Sequence, residues 1–154
     1  MKQQVVFAVT MLCLVLVSST GYSAQEAQKV AAPEPFTVRA VLVDAQGKEI
    51  PNETVYCLIF RGGAAYTQLG MVDGRITPIN PKAVSGKNGE LEIKVDGDFI
   101  QRYEQLTREF TIGVVREGKP IPMRVNGVQA VFDLDLVRKA KNIVDLGKVT
   151  LQLR

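Results

Sequence analysis

The stretch FTVRAVLVDAQGKEIPNETVYCLIF, Phe36 to Phe60, leaves little choice of fold class. Its first run, Phe36 to Val43, places Phe36, Val38, Ala40 and Leu42 on one side of an extended chain. Its second, Thr54 to Phe60, places Val55, Cys57 and Ile59 on one side and Tyr56, Leu58 and Phe60 on the other. β-Branched and aromatic residues at period two predict pleated strands packed on at least one face. Between the runs, Asp44-Ala45-Gln46-Gly47 predicts a turn, because Asp bonds its own backbone and Gly accepts positive φ.

The rest of the chain repeats that logic. Glu90 to Val95 alternates without a break, with Leu91, Ile93 and Val95 inward and Glu90, Glu92 and Lys94 outward. Further strands are predicted over Phe110 to Val115, Ile121 to Val125, Val128 to Leu134 and Gly147 to Leu153, the last with Val149, Leu151 and Leu153 inward. Asn88-Gly89 and Asn126-Gly127 are hairpin signals. Asp98 is expected to cap a short helix over Phe99 to Arg108, and Leu136 to Ile143 to form one or two helical turns. Arg61 to Lys87, rich in Gly and holding Pro78 and Pro81, is an excursion broken by short strands at Tyr66 to Leu69 and Arg75 to Ile79. Loops of that length are often functional; an edge hairpin is the plainer alternative. Seven to nine short strands with turns between them predict an all-β, antiparallel β-sandwich with one or two short helical insertions.

The expected organisation is a signal peptide at 1–24, a flexible linker at 25–35 and the β-sandwich at 36–154. Lys2 precedes the 13-residue run Val5 to Val17, which is dominated by apolar types. That suits a secretory leader better than a span of about 20 residues. Cleavage after Gly21 and after Ala24 both remain open. Export to the periplasm or outside the cell follows, with no membrane span after cleavage. The chain carries 19 basic and 16 acidic residues, a net of +3, and the leader removes only Lys2, leaving 18 against 16, or +2. A balance of this kind argues against a nucleic-acid partner. The leader also takes Cys13, so Cys57 stays as a lone cysteine, expected to be buried rather than paired between chains.

A strand followed by Asp44-Ala45-Gln46-Gly47-Lys48-Glu49-Ile50-Pro51, then Thr54-Val55, resembles the carboxypeptidase regulatory-like, or transthyretin-like, sandwich family. Lys87-Asn88-Gly89-Glu90-Leu91-Glu92-Ile93 and Leu146-Gly147-Lys148-Val149-Thr150-Leu151 are similar to later parts of that pattern. The resemblance implies a folded accessory or binding module and not an enzyme. An immunoglobulin-like or fibronectin-like sandwich accounts for the same strands.

The composition excludes several chemistries outright. The sequence contains no histidine, so Ser-His and Cys-His nucleophile pairs and His-ligated zinc are excluded. Transthyretin-related hydrolases depend on histidines and fall with them. The carboxylate pairs Asp96 with Asp98 and Asp133 with Asp135 read more simply as a turn flank and as a helix cap or solvated face than as an acid and base or a calcium loop. Asn52-Glu53-Thr54 is a glycan acceptor pattern, meaningful only in a eukaryotic secretory pathway. No cofactor is called for. The partner is expected to be another envelope or extracellular protein, or else a glycan; a stalk role is a further alternative. The residues expected to contact a partner are Arg61, Tyr66, Met71, Arg75 and Lys82, all in the excursion. They supply an aromatic, a methionine and cations of the kinds found at interfaces and their rims.

Overall fold

In the computed structural model, residues 33–152 are described. The expected leader at 1–24, its cleavage sites, most of the linker, Leu153 and Arg154 lie outside them. Pro33 to Pro35, the end of the expected linker, carry no regular structure.

Two sheets face each other across one apolar core. The first contains β1 (Phe36–Val43), β7 (Glu90–Val95), β10 (Arg124–Val125), β11 (Val128–Gln129) and β13 (Ile143–Thr150), in the order β11-β10-β13-β1-β7. The second is built on β12 (Val131–Asp133), β8 (Glu109–Arg116), β2 (Thr54–Arg61) and β3 (Ala64–Tyr66), in that order. β6 (Lys82–Val84) also pairs with β2, and β9 (Lys119–Pro122) with β8. Ladders are antiparallel except β1 with β13, which run parallel and slip register between Arg39 and Val41. The all-β sandwich is therefore the observed class.

The alternations predicted for the two opening strands hold. Phe36, Val38, Ala40 and Leu42 are buried from one sheet, Val55, Cys57 and Ile59 from the other, and Leu91, Ile93 and Val95 join them. Leu58 and Phe60, on the opposite side of β2, are buried as well. Asp44 makes the predicted turn, its Oδ1 accepting from the Gln46 and Lys48 N–H groups at 2.9 Å each, with Gly47 at φ 82°. Phe36, Phe99, Phe110 and Phe132 close one end of the core with ring centroids 6.0–6.3 Å apart.

Four local expectations need correction. The first helix, α1 (Gly97–Tyr103), starts earlier than expected because Asp96, not Asp98, is its cap: its Oδ1 accepts from the Phe99 N–H at 2.7 Å. That register turns Phe99, Ile100 and Tyr103 into the core. The second, α2 (Leu134–Lys139), likewise starts before Leu136, capped by Asp133. The runs Ile121 to Val125 and Val128 to Leu134 are each split. At Met123 and Ala130, both buried, the chain crosses from the second sheet to the first and back, so neither run stays in one ladder. Finally, Asn88-Gly89 lies in a turn that joins β6 to β7, but these strands belong to different sheets and do not pair; Asn126-Gly127 does close a hairpin, at φ 49° and 82°.

Candidate functional site

The excursion after β2 is mostly strand, but the expected strand over Tyr66 to Leu69 is broken, since Thr67 and Gln68 are irregular. Gly62 and Gly63, at φ 58° and 82°, return the chain as β3 against the end of β2. The chain then leaves the sheet edge to form β4 (Leu69–Val72) and β5 (Arg75–Pro78), a two-stranded sheet of its own, before β6 rejoins β2. The turn is Asp73-Gly74, both in the left-handed region at φ 49° and 75°. Two such residues match the twist of a tight hairpin.

Register decides what this hairpin shows. Leu69 faces Pro78 and Met71 faces Ile76, while Gly70 faces Thr77 and Val72 faces Arg75. Side chains directly opposite share a face, so Leu69, Met71, Ile76 and Pro78 line one side without a charge among them. Met71 is 76% exposed, Ile76 73% and Leu69 53%. The opposite side carries Gly70, Val72, Arg75 and Thr77. Ile79 packs over Gly70, where a Cβ would come within 2.7 Å of its Cγ2.

A two-residue turn makes Val72 and Arg75 a hydrogen-bonded pair, and the alternation makes Met71–Ile76 and Leu69–Pro78 non-bonded pairs. The N–H and C=O groups of Leu69 and Met71 therefore point to the outer edge of β4. On the outer edge of β5, Pro78 has no N–H to offer. β4 is the edge open to a further strand.

The base is fixed by one buried side chain. Asn80 Oδ1 accepts from the Gln68 N–H at 2.7 Å, and its Nδ2 donates to the Cys57 carbonyl at 2.9 Å. The Cys57 N–H donates to the Pro81 carbonyl and the Ile79 N–H to the Gln68 carbonyl. Cys57 itself is wholly buried, and desolvation pushes its thiol far above the ordinary range. Burial disfavours the thiolate, the form in which a cysteine is nucleophilic.

The five residues expected to meet a partner do not form one patch. Met71 sits on the apolar face of the hairpin and Arg75 on the opposite face. Tyr66 ends β3, half exposed. Arg61 ends β2, whereas Lys82 lies across from Tyr56 near the start of that strand, its Nζ 5.7 Å from the Tyr56 ring centre. Five residues of strand separate those two positions, about 17 Å at the usual rise. Sequence reading missed Leu69, Ile76 and Pro78. The signal was present, since Asp73-Gly74 between apolar runs is a hairpin pattern.

No protein-family model matches the chain, and no curated protein is significantly similar to it. Among solved structures, 77% of the chain is similar to part of a 9R-lipoxygenase from Cyanothece PCC8801, at 15% identity and a TM-score of 0.43. Another 78% match is to part of BcpA, the major pilin subunit of Bacillus cereus, at 12% identity and a TM-score of 0.38. The chain spans 16% of the lipoxygenase and 31% of the pilin. Similarity this weak carries nothing about activity. What stands of the resemblance to transthyretin-like sandwiches is the β-rich architecture.

Proposed function

We propose that the chain is an exported, non-catalytic β-sandwich module of the transthyretin-like kind that captures another envelope or extracellular protein through the β4–β5 hairpin. The observation that carries this reading is the apolar face of Leu69, Met71, Ile76 and Pro78, left uncovered on a hairpin whose base is hydrogen-bonded into the sheet. A cluster of exposed apolar side chains is a feature of interaction surfaces. The open edge of β4 adds main-chain groups for strand addition, a common mode of peptide recognition. Met71, Arg75 and Tyr66 are contact residues in this reading; Arg61 and Lys82 flank it.

The test is in-cell crosslinking of a C-terminally tagged chain beside a variant in which Gly70 to Thr77 is replaced by two glycines. This cut keeps Asn80 and its bonds to Gln68 and Cys57 in place. One stoichiometric protein, captured by the parent and lost from a variant that still melts cooperatively, is the expected result. Undiminished capture by the variant would reject the hairpin. No captured protein at all would turn the reading toward a glycan or a stalk.

A further inference from the structure

At the foot of the hairpin the two sheets part, and between β6, β7 and the start of α1 lies an open cleft of about 540 Å³. Its charged lining is Lys82, Lys94 and Arg102 against Asp96 and Asp98. Asp96 is already committed to capping α1 through the Phe99 N–H. None of the three cations has a carboxylate partner among the described residues.

No lysine among the described residues pairs with a carboxylate, so it is Arg102 that stands out, because most arginines do find an acceptor. Arg39, Arg108, Arg116 and Arg138 each pair with a carboxylate, and Arg124 donates to the Gly127 carbonyl. Arg61, Arg75 and Arg102 have no such acceptor among the described residues, and all three lie on the excursion or beside its base. Three cations against two carboxylates leave the cleft net positive, and low-dielectric walls focus that potential. The walls are rigid here: Asn80 is buried with both ends of its amide bonded, and Phe99 is packed into the core.

We infer that this cleft is a carboxylate-binding site, in which Lys82, Lys94 and Arg102 receive the acidic side chains of an extended polypeptide segment. The inference rests on the reading of the hairpin as a partner-binding element, and it supplies the chemistry of that partner. A polypeptide fits better than an acidic glycan because the cleft adjoins apolar surface. Ile79, 39% exposed, lines it and packs over Gly70 on the hairpin face that also carries Val72, so one segment bearing acidic and apolar residues meets cations and apolar side chains there, on the side away from Met71 and Ile76. No exposed aromatic ring lines the cleft to stack a sugar, since Phe99 is only 6% exposed.

The probe is fluorescein-labelled hexaglutamate, titrated with the folded chain and read by anisotropy. Binding is expected to weaken at least about tenfold between about 50 and about 500 mM salt, as screening requires. It is expected to fall by about tenfold or more in K94Q/R102Q. The charge-matched pair K139Q/K148Q, distant in sequence and outside the cleft, keeps parental binding. Amide shifts of the unmodified chain on adding the peptide are expected at Gln68, Lys94 and Asp98, which tests the site even where a variant misfolds. No binding at millimolar peptide, an equal loss in both variant pairs, or tighter binding of an equally charged oligogalacturonate overturns the inference. M71S/I76S separates the two readings. Partner capture lost with hexaglutamate binding intact supports both, whereas capture retained with hexaglutamate binding intact rejects only the apolar hairpin face.

Discussion

The sandwich and the β4–β5 hairpin are built from the same kinds of residue and use them in opposite ways. In β8, Phe110 to Val114 are buried in succession, with Phe110, Ile112 and Val114 in the core between the sheets and Leu58 and the Ile121 carbonyl close against Gly113. In the hairpin, Met71 and Ile76 are paired in register, yet no layer faces them among the described residues. A two-stranded sheet is marginal alone in water. What holds this one is its left-handed turn and the amide of Asn80, not burial. The difference separates burial from exposure: the sandwich buries its apolar residues in the core, and the hairpin keeps Met71 and Ile76 in water, where the proposed partner would meet them.

The largest expected effect lies in the sandwich. Phe110→Ala removes a ring that meets Phe36, Phe99 and Phe132 and is expected to cost about 3–5 kcal/mol in denaturant unfolding. A cost below about 1 kcal/mol would show that the aromatic end of the core is not where the fold is held.

Asn80→Ala joins the two regions and comes next. It leaves the Gln68 N–H and the Cys57 carbonyl without their partner, an expected loss of about 1–3 kcal/mol. Amide exchange should rise first at Ile79 and in β4. Uniform acceleration across β2 and β8 instead would mean that the hairpin and sandwich open as one unit.

Cys57 sharpens the contrast from inside the core. Its thiol is raised by burial, so the folded state keeps a proton that the unfolded chain releases above about pH 8.5. Stability is therefore expected to be unaffected by this group below that pH and to decline as pH rises through it. A thiol reagent should label Cys57 only on unfolding, and rapid labelling of the native chain would contradict its placement.

The smallest stability effect is expected for M71S/I76S, within about 0.5 kcal/mol, since both side chains are already in water. A melting shift as large as that of Asn80→Ala would mean that this face is covered by the chain itself.

Much of the fold was legible because strand alternation is local. Leu91, Ile93 and Val95, like Phe36, Val38, Ala40 and Leu42, were assignable from period two, and the structure buries all seven. The turn at Asp44 to Gly47 was equally readable, since the side chain that makes it sits within the turn. The cap of the second helix was legible in the pair of Asp133 and Asp135, but that of the first was not. Asp96 and Asp98 present the same local chemistry, and only the need to turn Phe99, Ile100 and Tyr103 inward chooses between them. The candidate surface was half legible: Met71 and Arg75 were named for their residue type and an edge hairpin was the plainer alternative for the excursion, but which face each residue takes follows from a register that the sequence does not state.

By itself, the sequence determined that this chain builds β-strands, that its chemistry excludes histidine, and where most chain reversals fall, because propensity, composition and turn geometry act over a few residues. Tertiary structure alone decided that β1 and β13 pair in parallel, that Met123 and Ala130 mark crossings between sheets, and that Ile112 is buried while Ile76 is not. Those outcomes depend on whether a second layer lies opposite. Residues far apart in the chain supply that layer, so no local pattern encodes it.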